Sequence, residues 1–223
     1  MISHNKRFLF THINKCGGTS ITRALIPYSE RPFTHDMHHQ TEKEMQLCEN
    51  LPEAYFKFTV VRNPWDRVVS NYFYNKNRKQ EGAYQQLNSI SFEGFIEQYC
   101  MPVPKDSREF PDLFFGQCIN WITDQDGNLL VDKVFKLENL KEEWYDLCNQ
   151  LGICVKLPHE NTSYHKDYRA YYTEETAEIV ADLFQDDIEA FDYKFDNNIH
   201  ECPFSDVEEI FNIKEIFNSI DSL

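Results

Sequence analysis

The chain has 223 residues, 41% hydrophobic and 15% aromatic, enough for one globular domain with a full core and too apolar for a disordered chain. A net charge of −15 argues against nucleic acid as a partner, because binding to it rests on phosphate neutralisation by Lys and Arg. The unbroken apolar runs are too short for a membrane-spanning helix, and Met1–Arg7 carries no signal-peptide core, so a cytoplasmic setting without membrane insertion is expected. Seven scattered cysteines without a Cys-x-x-Cys read as reduced, mostly buried thiols.

Along the chain, Phe8–Ile13 is apolar and bounded by turn chemistry, which predicts a buried strand. Thr19 or Ser20 is expected to cap a helix that stops before Pro27. A histidine-rich stretch, 34–40, precedes a helix predicted from Thr41 to before Pro52. Phe56–Arg62 reads as a second strand, followed by Asn63 and Pro64 at the N-cap and first position of a helix. In that helix Val68, Val69, Tyr72 and Phe73 share one face, and the aromatics Trp65, Tyr72, Phe73 and Tyr74 are assigned to the core.

Further helices are predicted over Ser91–Cys100 and Leu113–Thr123, and a third strand over Lys133–Leu137 after the Asp126-Gly127 turn. Asn139 caps a helix that Gly152 ends, Thr173–Phe191 is one amphipathic helix, and Ser205–Glu208 opens a last helix to about Ile220. Strands alternating with helices predict an α/β fold with a mainly parallel central sheet flanked by helices. Its ligand belongs at the carboxyl ends of the strands. Residues 1–202 are read as the domain and 203–223 as its C-terminal helical extension.

Two segments carry chemistry. Asn14-Lys-Cys-Gly-Gly-Thr-Ser20 places a lysine and two glycines between a strand and a helix start. Glycines let the backbone amides turn inward, the helix N-terminus adds positive dipole, and Lys15 supplies a point charge: an anion cradle. It is not a Walker A loop, which has its lysine after the last glycine. In Phe58-Thr-Val-Val-Arg-Asn-Pro-Trp-Asp-Arg-Val-Val-Ser70, Arg62 ends a strand and Ser70 lies two helical turns on, an arrangement suited to gripping one phosphate from two sides. Taken singly, a Gly-Gly turn and an Arg62 paired with a carboxylate are the plainer accounts. The basic residues Lys15, Arg23, Arg62, Arg67, Lys76, Arg78 and Lys79 gather in the first 80 residues, marking the anion-handling half.

Together these segments resemble the paired signature of the sulfotransferases that use 3′-phosphoadenosine-5′-phosphosulfate (PAPS), and the carbohydrate O-sulfotransferase branch in particular. Phe135–Leu140, Leu157–Asn161 and Tyr171–Thr176 extend the likeness over residues 8 to about 195. The resemblance implies a P-loop NTPase-like three-layer fold. It implies that Lys15, Cys16, Gly17, Gly18, Thr19 and Ser20 wrap the 5′-phosphosulfate, with Cys16 giving its backbone N–H. Arg62 and Ser70 would then hold the 3′-phosphate, with Thr162 and Ser163 approaching the nucleotide from a later loop.

It also implies a hydroxyl-bearing acceptor, a saccharide, and no metal. Asn14 stands where proline is usual and is expected to loosen the turn. A histidine suits the base that takes the acceptor proton. His39 is the first choice by its resemblance to the His-x-Ser/Thr of uronyl 2-O-sulfotransferases, with His38 second and His12 third. A small-molecule kinase and a non-catalytic nucleotide-binding module are the alternatives.

Overall fold

The computed structural model describes residues 1–30, 54–77, 88–100, 116–158 and 165–196. The described residues hold a four-stranded sheet in the order β1 (Ile2–Ser3), β2 (Phe8–Thr11), β3 (Phe56–Val61), β4 (Lys133–Lys136). The strands β2, β3 and β4 run parallel, with Phe10 opposite Phe58 and Val60 opposite Phe135; β1 pairs antiparallel, Ile2 opposite Leu9. The sequence reading missed β1, because a two-residue strand has too little periodicity to show.

Alternation along the strands sends Phe8, Phe10, Phe58, Val60 and Phe135 to one face, where they pack against α1 (Gly18–Leu25) and α4 (Leu140–Leu151). The other face, through Ile13 and Val61, meets α2 (Pro64–Asn77), α3 (Phe92–Tyr99) and α5 (Glu174–Leu183). Helices on both faces of a mainly parallel sheet give the three layers expected. Phe10 stacks on Phe58 at 5.1 Å between ring centroids, and Phe58 meets Phe135 edge-on at 6.1 Å, so aromatic pairs run across the strands.

Local signals held where their chemistry is local. Asn63 Oδ1 accepts from the Trp65 and Asp66 amides, and Ser91 Oγ from the Gly94 amide. Gly152 ends α4 at φ 59°. Three expectations need correction. The N-cap of α1 is Gly17, at φ 74°, not Thr19 or Ser20. Within the described part of the predicted helix over 113–123 there is only a 3-10 turn, Ile119–Trp121.

The predicted single helix over 173–191 is two, α5 and α6 (Gln185–Phe191), broken at Phe184. Just past the break Asp187, on α6, takes the Cys118 amide at 2.7 Å and the Ile119 amide at 2.8 Å. The predicted helices over 41–52 and 205–220 lie outside the described residues.

Candidate active site

The three parallel strands end side by side, and their exits meet. From β2 the chain passes through His12–Gly17 into α1; from β3 through Arg62 and Asn63 into α2; from β4 through the 3-10 turn Leu137–Asn139 into α4. Glu138 joins two of the exits, accepting from the Asn63 amide at 2.7 Å and the Tyr193 hydroxyl at 3.1 Å. Leu137 abuts the third: a Cβ built on Gly17 would stand 2.6 Å from Leu137 Cδ1.

The loop 14–17 is tightly turned. Lys15 has φ 62° and Gly17 φ 74°, both left-handed. The glycine takes that conformation without strain, whereas the lysine needs restraint. The Ser20 amide returns to the Gly17 carbonyl at 3.1 Å and the Ile21 amide to the same carbonyl at 3.4 Å. The amides of Gly18 and Thr19 therefore have no carbonyl acceptor within α1, and they stand at its positive end. Gly18 also rests on His12, whose ring is buried and stacked on Phe10; a Cβ there would fall 1.9 Å from His12 Cδ2. His12 is thus the floor of the cradle.

The two sequence motifs touch. Arg62 Nη1 donates to the Lys15 carbonyl at 3.2 Å, and Arg62 Nε to Asp66 Oδ2 at 2.8 Å. The carboxylate pairing anticipated as the plainer account exists, and it leaves other guanidinium hydrogens for a ligand. Ser70 is buried on α2. One turn further on, Tyr74 carries the Lys15 ammonium over its ring at 3.8 Å from the centroid. Tyr74 was assigned to the core and is instead 37% exposed, while Trp65 and Tyr72 are buried as expected. The donor set of lysine, arginine and helix-terminal amides fits an anion of the phosphosulfate type.

Beneath the loop lies a polar cluster that sequence reading did not find. Arg67, 2% exposed, donates from Nε to the Asn14 carbonyl (3.1 Å), from Nη2 to Asn14 Oδ1 (2.6 Å) and from Nη1 to the Gly116 carbonyl (2.9 Å). Asn14 is therefore gripped, not loose as expected. Cys16 turns its side chain inward, Sγ 3.9 Å from Cys118 Sγ.

Burial alone would raise the Cys16 thiol; its bond to Cys118 and the charges of Arg67 and Arg62 bring it below its ordinary value. Burial, then the bond to Cys16, pushes the Cys118 thiol well above its ordinary value. Burial opposes the Arg67 charge, but Cys118, Cys16 and Asp187 outweigh it and hold the guanidinium protonated. The clue in the sequence was an arginine one turn into an apolar helix face.

Of the other expected site residues, His38 and His39 lie outside the described residues, as do Thr162 and Ser163. Arg78 and Lys79 do too, whereas Lys76 donates to the Tyr72 hydroxyl at 2.8 Å. The described cysteines, Cys16, Cys100, Cys118, Cys148 and Cys154, are all free, and Cys154 is exposed. No described helix is long and apolar enough to cross a membrane.

A family model described as "Sulfotransferase family" matches residues 1–194, which include both motifs and the sheet. No curated protein matches the chain, and no solved structure does.

Proposed function

Because the chain belongs to the sulfotransferase family, we propose that it transfers the sulfuryl group of PAPS to a carbohydrate hydroxyl. The observation that carries the reading is the contact between the two motifs, Arg62 Nη1 on the Lys15 carbonyl, which sets a guanidinium beside the lysine cradle. PAPS supplies the sulfuryl group, with the 3′,5′-bisphosphate nucleotide as leaving group. Arg62 and Ser70 hold the 3′-phosphate. Lys15 and the amides of Gly17, Gly18 and Thr19 face the 5′-phosphosulfate, with Cys16 and Ser20 completing the loop.

In this reading His39 takes the acceptor proton, with His38 next in line, while the acceptor oxygen attacks sulfur in line with the breaking S–O bond. Lys15 and the loop amides neutralise the charge that builds on the bridging oxygen, as preorganised donors do in phosphoryl transfer. Thr162 and Ser163, from the segment after Pro158, approach the nucleotide in this reading. His12, buried under Gly18, is the weakest of the base candidates.

Titration of the full chain with the desulfonated bisphosphate nucleotide, followed by transfer of labelled sulfate to a panel of saccharides, tests the proposal. Binding and transfer are expected. Absence of nucleotide binding would overturn the reading, and transfer confined to phenols or lipids would overturn the saccharide. Undiminished transfer by His39→Ala would remove the base assignment alone.

A further inference from the structure

We propose that Arg67, acting through Asn14, is a positioning residue that aims the amides of the donor cradle. The inference rests on the reading of residues 15–20 as the phosphosulfate loop.

In a trans peptide the carbonyl and the following N–H point in opposite directions. Arg67 Nε holds the Asn14 carbonyl at 3.1 Å, so the Lys15 N–H is turned away from the guanidinium. At the next peptide Arg62 Nη1 holds the Lys15 carbonyl at 3.2 Å and turns the Cys16 N–H away in the same manner. Two arginines from one segment, a strand end and the helix after it, thus fix consecutive peptides of the loop. The residue between those peptides is Lys15, at φ 62°. A lysine keeps a left-handed backbone only where its surroundings over-determine it.

Asn14 makes the grip two-pointed. Its Oδ1 takes Arg67 Nη2 at 2.6 Å, so the guanidinium fork holds one residue by backbone and side chain together. A proline at this position would restrict the backbone covalently and would offer no such oxygen. In this chain the restriction is a hydrogen bond. The third arm of Arg67, to the Gly116 carbonyl at 2.9 Å, anchors the guanidinium to the segment that carries Cys118, and Asp187 lies near enough to offset its buried charge. Arg67 is 2% exposed, which removes it from direct contact with substrate and leaves it a role through Asn14.

The test compares Asn14→Leu, which removes Oδ1 at nearly constant size, with Asn14→Asp, which keeps an acceptor for Nη2. Turnover and KM for PAPS are measured separately on the full chain, with calorimetric affinity for the bisphosphate nucleotide and a thermal melt for each variant. Loss of one hydrogen bond to a charged group corresponds to a roughly ten- to hundredfold change when it is expressed in the transition state. Asn14→Leu is expected to lower kcat by at least about tenfold while KM and nucleotide affinity move by less than about threefold. Asn14→Asp is expected to stay within about threefold of the native rate.

Native turnover by a folded Asn14→Leu overturns the proposal, as does an equal loss in Asn14→Asp. Should the leucine variant not fold, Asn14→Ala makes the same comparison. Failure of the native chain to bind the nucleotide overturns the functional reading, and the positioning role with it, in an arm separate from the variants.

Discussion

A methyl group added at Gly18 would stand 1.9 Å from His12 Cδ2 and 2.0 Å from His12 Nε2, in a place where the imidazole is stacked on Phe10 and buried. Either the imidazole or the loop must shift. Gly18→Ala is therefore expected to cost about 1–3 kcal/mol in urea unfolding, with weakened binding of the bisphosphate nucleotide. Lys15 behaves differently, since its side chain lies at the mouth of the loop over Tyr74. Lys15→Ala is expected to lower kcat about 10²–10³-fold, the range for one lost donor to a developing oxyanion, with a smaller change in nucleotide affinity and an unchanged melt. Equal losses in kcat and affinity would show the lysine to act in binding alone. Both residues stand out in the sequence, because a lysine and glycines between a strand and a helix start are a local signal. The part played by His12 does not: what matters is the glycine above it, on the next element.

Among the elements, α2 does the most for the site. It begins against Glu138 and carries Asp66, Arg67, Ser70 and Tyr74 along its length. Its N-terminus and capping were readable, as Asn63-Pro64 is a strong local start signal. Its attachment to the β4 exit was not, since nothing local to Glu138, next to the helix cap Asn139, points to the Asn63 amide. Glu138→Ala removes the acceptor of the Asn63 amide and of the Tyr193 hydroxyl, and a loss of about 1–3 kcal/mol is expected on chemical denaturation. Because Arg62 precedes Asn63, nucleotide affinity is expected to fall as well; Glu138→Gln, which keeps one oxygen, is expected to recover part of both. The break between α5 and α6 belongs at this scale too. Helical periodicity runs on through Phe184, whereas the fold breaks there and sets Asp187 against two amides of a distant turn, a long-range contact no local pattern reports.

For the whole molecule, burial makes stability depend on alkaline pH. Burial pushes the thiols of Cys100, Cys118 and Cys148, and the phenols of Tyr168, Tyr172 and Tyr193, above their ordinary values. In the unfolded chain these groups ionise near about 8.5 for thiols and about 10 for phenols. The folded state holds the proton longer, so their contribution is fully present below those values and is lost as pH rises past them. Cys16 runs the other way, its thiol lowered by Cys118, Arg67 and Arg62 against the effect of burial. Six raised groups outweigh one lowered one. The urea midpoint is expected to fall steadily from about pH 8.5 to pH 11, and a flat profile over that interval would contradict the burial of these side chains.

What the sequence determined by itself was everything carried by nearest neighbours. Strands were marked by runs of Phe and Val, helix starts by Asn-Pro and Ser, a helix end by Gly152, and the cradle by Lys15 and its glycines. Those signals act within one turn or one pleat, so they survive in a linear reading. Tertiary structure alone decided how the cradle is held. Arg67 reaches Asn14 across 53 positions and Gly116 across 49, Tyr193 reaches Glu138 across 55, and Cys16 meets Cys118 across 102. No periodicity encodes such pairs, because they arise only when parallel strands bring their carboxyl ends to one edge. A buried guanidinium must then find carbonyls there to make up for the water it has lost.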